Sequence, residues 1–123
     1  VKQTVINKTV IVSMLLAGLG WGAWAYIVNI QSQNVIPTTV LQIVYSVVMT
    51  IYMSFSIHFV SKKVNGKWQK LLLPTIVTIG HTGVILVLAH YLNGTQNLFL
   101  TIIFPIIVGT VYSLFLSCKY YTG

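Results

Sequence analysis

Three histidines, seven lysines and a set of evenly spaced hydroxyl and amide side chains carry nearly all the chemistry this chain can offer. None of its 123 residues is Asp or Glu. No carboxylate can act as a general base, hold a hard cation or pass protons. A Ser-His-Asp set is excluded outright, and Cys118, the single cysteine, has no histidine near it in sequence. His58, His81 and His90 fall at three different depths of their segments, and no Cys or acid completes a metal-ligand set with them. The sequence therefore points to a protein that is not an enzyme and needs no metal or cofactor.

What remains is spacing. Gln42, Ser46, Thr50, Ser54 and His58 recur every four residues, which lines them along one side of a helix. Thr101, Pro105, Gly109, Ser113 and Ser117 repeat the pattern near the C-terminus. Two readings fit such stripes. In one they pack helices: small residues let backbones approach, and each Ser or Thr hydrogen bond contributes about 0.6 kcal/mol. In the other they form a polar seam along which a headgroup passes. Gly18 and Gly22 have the G-x-x-x-G spacing of a packing groove, with Ala25 extending it. His81 falls about halfway along its segment, where an ionisable group is costly and tends to face a protein interior. Two readings fit it: a member of the seam, or an ordinary packed group bonded to Thr78 or Ser54. His58 and His90 are expected near opposite membrane faces.

The lysines are grouped. Lys62, Lys63, Lys67 and Lys70 surround Trp68, Lys119 follows the last apolar run, and Lys2 and Lys8 precede the first. A basic cluster beside a bilayer attracts anionic lipid at about 1 kcal/mol per charge. Lys62, Lys63, Lys67 and Lys119 are thus candidates for holding a lipid phosphate. The same placement also serves topology alone, with Trp68, Tyr120 and Tyr121 as an interfacial aromatic belt.

Positioning these groups requires long elements. Charged residues make up 6% of the chain and hydrophobic ones 56%, against roughly a quarter charged in soluble domains. Four continuous apolar runs of about 20 residues match the hydrocarbon thickness of a bilayer. Backbone groups in lipid need internal partners, so such runs are helices unless they alternate as barrel strands do, and these do not alternate. The fold expected is an all-α integral membrane protein, one domain over residues 1–123, with four transmembrane helices in two hairpins. The predicted helices run Thr9–Ile30, Pro37–Ser61, Leu71–Leu92 and Leu98–Ser117. Pro74 is expected in the first turn of the third and Pro105 inside the fourth. The first run is long enough to span and lacks an Ala-x-Ala exit, so it does not read as a cleaved signal. Lysines flank the start, the central loop and the end, while the other two loops have none. The positive-inside rule then places both termini and the central loop in the cytoplasm. The charge of +7 follows from that rule, and no nucleic-acid partner is expected. Val- and Ile-rich helices with Lys and no Arg point to a bacterial chain, and so to the inner (cytoplasmic) membrane.

Four short helices with both termini inside also describe the small multidrug resistance transporters. Their coupling depends on a glutamate in the first helix, where this chain has Ser13, Met14, Gly18 and Trp21. The arrangement resembles the GtrA-like family of small four-helix membrane proteins. The matching residues are Leu16-Ala17-Gly18-Leu19-Gly20 in the first helix and Ser113-Leu114-Phe115-Leu116-Ser117-Cys118-Lys119-Tyr120-Tyr121 at the last exit. Ser54-Phe55-Ser56-Ile57-His58 before Lys62 and Lys63 matches less well. Both family Asn positions are Ser or His, and Arg is missing. The resemblance implies a flippase role: helping a polyprenyl-phosphate-linked sugar across the membrane, with a glycosyltransferase as partner, in polysaccharide biosynthesis. From the residues alone, two other readings stay open: an accessory subunit of a larger membrane complex, or a small holin-like or toxin-like pore. A homo-oligomer is compatible with each.

Overall fold

The computed structural model describes residues 6–122; Lys2 lies outside the described residues. The chain forms four helices, α1 (Lys8–Val28), α2 (Val35–Lys63), α3 (Lys67–Asn93) and α4 (Leu98–Thr122). All four are long and apolar enough to cross a membrane, and no strand occurs among the described residues.

Each helix is longer at its basic end than the apolar runs suggest. The third begins at Lys67 rather than Leu71, so Pro74 lies inside it, beyond the first turn. The second continues to Lys63, and the tight turn expected over 62–67 shrinks to residues 64–66. Lysine is a good helix former, and at the C-terminal end of α2 it also favours the helix dipole. Apolar run length sees neither effect. The α1 N-terminus is capped by Asn7, whose side chain accepts from the Val10 N–H at 3.1 Å. The α3 C-terminus stops at Gly94, in the left-handed region at φ 70°, a conformation glycine adopts without a Cβ penalty.

The central element is α2, which packs against all three others, while α1 and α3 do not touch. Between α1 and α2 the approach is close. A Cβ on Gly18 would lie 2.9 Å from Val47 Cγ2, and one on Gly22 would overlap Ile43. Gly18, Gly22 and Ala25 are all buried, as the small-residue spacing predicts. Gly109 is a looser case, since its Cβ would meet Ile79 Cδ1 at an ordinary 3.6 Å. Large apolar side chains such as Leu19, Ile36, Ile76 and Val111 cover the outside. The interior carries Thr38, Gln42, Ser46, Thr78, Thr101, Ser113 and Ser117. This polarity is inverted relative to a soluble bundle and suits an apolar surrounding.

Candidate functional site: a polar column leading to a cavity

The bundle has two unlike ends. One holds Lys8, Lys62, Lys63, Lys67, Lys70 and Lys119; the other holds Asn29, Asn34, Asn93 and Asn97. At the asparagine end the loops are stitched to every helix. Asn29 Nδ2 donates to Thr101 Oγ1 at 2.8 Å, and the Asn97 N–H donates to Asn29 Oδ1 at 3.1 Å. Asn34 Nδ2 donates to the carbonyls of Asn93 and Gly94 at 3.1 and 3.0 Å. Asn93 Nδ2 donates to Thr38 Oγ1 at 3.0 Å and to Thr95 Oγ1 at 3.1 Å.

From here a directed chain of hydrogen bonds descends between α2 and α3. Thr95 Oγ1 lies 2.8 Å from His90 Nδ1, and His90 Nε2 lies 2.7 Å from Gln42 Oε1. Gln42 Nε2 donates to Ser46 Oγ at 3.1 Å. With that N–H₂ spent on Ser46, Gln42 Oε1 must accept. The His90 hydrogen therefore sits on Nε2, and Nδ1 accepts from the Thr95 hydroxyl. His90 and Gln42 are both 0% exposed, so each bond replaces water that cannot reach it.

The column ends at a cavity of about 600 Å³ bounded by all four helices. Gln42, Ser46 and Thr50 give it a polar edge; Trp21, Trp24, Met49, Leu86 and Ile106 make most of the rest apolar. The space exists because α1, close against α2, stands apart from α3 and for much of its length from α4. Every hydrogen bond and ring contact between α1 and α4 among the described residues lies near the asparagine end. Trp24 Nε1 donates to the Leu100 carbonyl at 2.8 Å, and its ring meets Phe104 edge-on with centroids 5.1 Å apart. Asn29 and Asn97 complete that contact. Towards the lysines no such tie between α1 and α4 occurs among the described residues. Tyr112 lines the same cavity, and its buried hydroxyl has no hydrogen-bond partner among the described residues.

Of the expected seam, Gln42, Ser46, Thr50 and Ser54 are buried along α2, and Ser113 and Ser117 along α4. They play different parts. Thr50 and Ser54 donate to carbonyls four residues back, Ser46 O and Thr50 O. Ser117 meets Thr75 of α3 at 3.3 Å, a helix-packing bond. Only Gln42, Ser46 and Thr50 of the two stripes border the cavity with polar side chains. His58 is half-buried at the lysine end, its ring 5.0 Å from that of Tyr120.

His81 does not join the seam. It is exposed on the outer surface of α3, and its expected partner Thr78 bonds Ser56 instead, at 2.7 Å. The buried positions of α3 run Thr75, Thr78, Thr82, Leu86 and His90, and residue 81 falls about 100° to one side of 82. The inward histidine is His90. Its signal lay in the two loops without lysine: both are rich in Asn, and Thr95 follows His90 within one of them.

The lysines stay apart from the cavity. Lys62, Lys63 and Lys67 are exposed and Lys119 is half-exposed. The Lys63 ammonium sits 4.1 Å above the Phe59 ring, and Lys67 is 5.9 Å from that of Trp68. Seven residues separate Lys119 from Tyr112, about 10 Å of helix, and twelve separate Lys67 from Ile79, about 18 Å. No cluster of three or more His, Cys, Asp or Glu side chains occurs among the described residues.

Comparison with family models, with curated proteins and with solved structures finds no match. The GtrA-like resemblance thus rests on the sequence motifs alone.

Proposed function

We propose that this chain is a membrane protein that takes a lipid-type amphiphile into the space between α1 and α4. Its apolar part lies in the cavity, and its anionic head is held at the lysine end. The cavity is the observation that carries this reading. It is apolar over most of its wall, is bordered by Gln42, Ser46 and Thr50, and extends from the Trp24 tie to α4 towards the lysine end, where the described residues of α1 make no further polar tie to α4. A soluble, strongly charged ligand would lose its hydration there without a counter-charge in reach. A long apolar chain loses nothing, because the wall resembles the lipid it leaves. A head on Lys62, Lys63, Lys67 and Lys119 would sit about 10 Å or more from the cavity along the helices. The ligand therefore has a phosphate or similar anion separated from its cavity-filling part by a length of chain, as a polyprenyl phosphate has. In this reading the lysine end faces the cytoplasm, of a bacterial inner membrane, and the Gln42–Ser46 edge offers hydrogen bonds to a sugar carried on the phosphate.

Tryptophan fluorescence tests it. Trp21 and Trp24 line the cavity, while Trp68 is 69% exposed near the lysines. A Trp68→Phe chain in phosphatidylethanolamine/phosphatidylglycerol vesicles is titrated with polyprenyl phosphate and with the matching alcohol. A saturable emission change is expected, stronger binding for the phosphate, and a loss of about a hundredfold when Lys62, Lys63 and Lys67 are all replaced by Gln, at about 1 kcal/mol per charge. Gly20→Leu supplies the second arm. Gly20 lines the cavity with nothing within 4 Å of an added Cβ, so the new side chain fills the space without disturbing the α1–α2 contact. It should lower affinity at least tenfold. Emission that does not saturate, or affinity indifferent to Gly20→Leu, sinks the proposal.

A further inference from the structure

On the outer face of the α2–α3 pair two polar side chains stand in an otherwise apolar surface without partners. Tyr52 is 40% exposed, and His81 is exposed. Neither makes a hydrogen bond within the chain among the described residues. Both lie on the flank where α2 meets α3. Tyr45, Tyr52 and Ser56 lie on one side of α2 at helical spacing. Tyr45 donates to the Thr82 carbonyl and Ser56 bonds Thr78, which places α3 beside that side. On α3, His81 follows Thr78 by three residues, so it shares the α2 flank. Ile79, which packs near Gly109 of α4, is about 200° away.

Their depths also agree. Tyr52 lies eleven residues from Lys63, and His81 fourteen from Lys67, about 16 and 21 Å from the lysine end. Side chains lean towards the N-terminus of their own helix. In α2 that direction is away from the lysines, so the tyrosine hydroxyl closes most of the gap.

We propose that this face binds a second copy of the chain through a two-fold axis parallel to the helices. Tyr52 of each copy then donates to His81 of the other. Isologous contacts pair residue i with j and j with i, and here one residue is a hydroxyl donor and the other offers a ring nitrogen as acceptor. The axis preserves depth, so both bonds form at once. A polar group left facing hydrocarbon is costly, which supplies the drive that apolar helix faces lack in lipid. The face is opposite the α1 side of α2: Ile43, which meets Gly22, is half a helical circuit from Tyr52. Pairing therefore leaves the cavity flank open to lipid.

Cross-linking by a bismaleimide between two differently tagged full-length chains tests the pairing in phosphatidylethanolamine/phosphatidylglycerol vesicles, because a tyrosine hydroxyl bonded to an imidazole leaves the backbones too far apart for a direct disulfide. One chain carries Tyr52→Cys and the other His81→Cys, both on a Cys118→Ser background. The result expected is a covalent pair containing one of each tag. Energy transfer between fluorescently labelled copies, read across a protein-to-lipid dilution series, gives the association constant. Tyr52→Phe should weaken it roughly eightfold, the loss of two interhelical bonds of ordinary membrane strength. Among the described residues both side chains lack partners within the chain, so these substitutions leave the fold of one copy in place. Copies that show no more transfer than random proximity gives, with no mixed-tag pair, overturn the proposal. So does a cross-link to some other membrane protein in place of the second copy.

Discussion

The asparagine end and the lysine end of the bundle are built on opposite principles. At the first, short neutral amides tie all four helices and both loops into one network, with His90 and Gln42 at its buried centre. At the second, long cationic side chains extend outward, Lys63 and Lys67 lying over aromatic rings, and among the described residues α1 makes no hydrogen bond to another helix there. The difference explains where the cavity is. Apolar helices in lipid have little hydrophobic reason to close on one another, so α1 is held where small residues fit it against α2 and where polar groups tie it to α4. Among the described residues those ties to α4 lie at the asparagine end, and α1 is tethered to α4 there.

The sharpest way to break this contrast is to disconnect the column at its centre. His90→Leu leaves Gln42 Oε1 without its donor and the Thr95 O–H without its acceptor, at 0% and 7% exposure, although Thr95 Oγ1 still accepts from Asn93. Orphaned buried groups cost about 1–3 kcal/mol each, so a total of about 2–4 kcal/mol is expected. Reversible unfolding in mixed micelles measures it. A double-mutant cycle with Gln42→Leu should recover part of that loss, because the pair is then absent rather than half present. A cost below about 0.5 kcal/mol would mean that the asparagine end does not hold the bundle.

Gly22→Ala tests the other element that fixes α1. The added methyl overlaps Ile43, and overpacking typically costs about 1–3 kcal/mol. Since α1 leans on α2 throughout its length, the expected outcome is partial release of α1, seen as faster cross-linking of residues on its α2-facing side. The same change at Gly20 should leave stability untouched.

The apolar runs made four helices legible, since length and continuity are properties of a segment by itself. The inward direction of Gln42, Ser46, Thr50, Ser54, Ser113 and Ser117 was also readable, because a four-residue interval fixes a common helix face. Their division into cavity edge, backbone-bonded hydroxyls and packing contacts was not, because it depends on which helix stands opposite. Histidine shows the limit most clearly. His81 and His90 are nine residues apart on one helix, and mid-depth position favoured the former for the interior. Facing direction decided otherwise, and it is set by where α2 and α4 press on α3. The cavity was invisible for a similar reason: no pattern within α1 reports that its polar ties to α4, among the described residues, lie near Trp24, Asn29 and Asn97.

The smallest expected effect isolates that tether. Trp24→Phe removes one hydrogen bond, to the Leu100 carbonyl, and keeps an aromatic ring for the edge contact with Phe104. Stability should fall by only about 0.5–1.5 kcal/mol. Geometry should respond more than energy does, because α1 lacks another polar tie further down and any loosening is amplified along its length. Paired spin labels at Leu15 on α1 and Val111 on α4, both exposed, should report a longer and broader distance distribution in the variant. An Asn29→Ala variant should broaden it further, since it also deletes the bonds to Thr101 and Asn97. An unchanged distribution in both would mean that the separation of α1 from α4 is set by α2 alone, through Gly18 and Gly22, and that the asparagines hold only the loops.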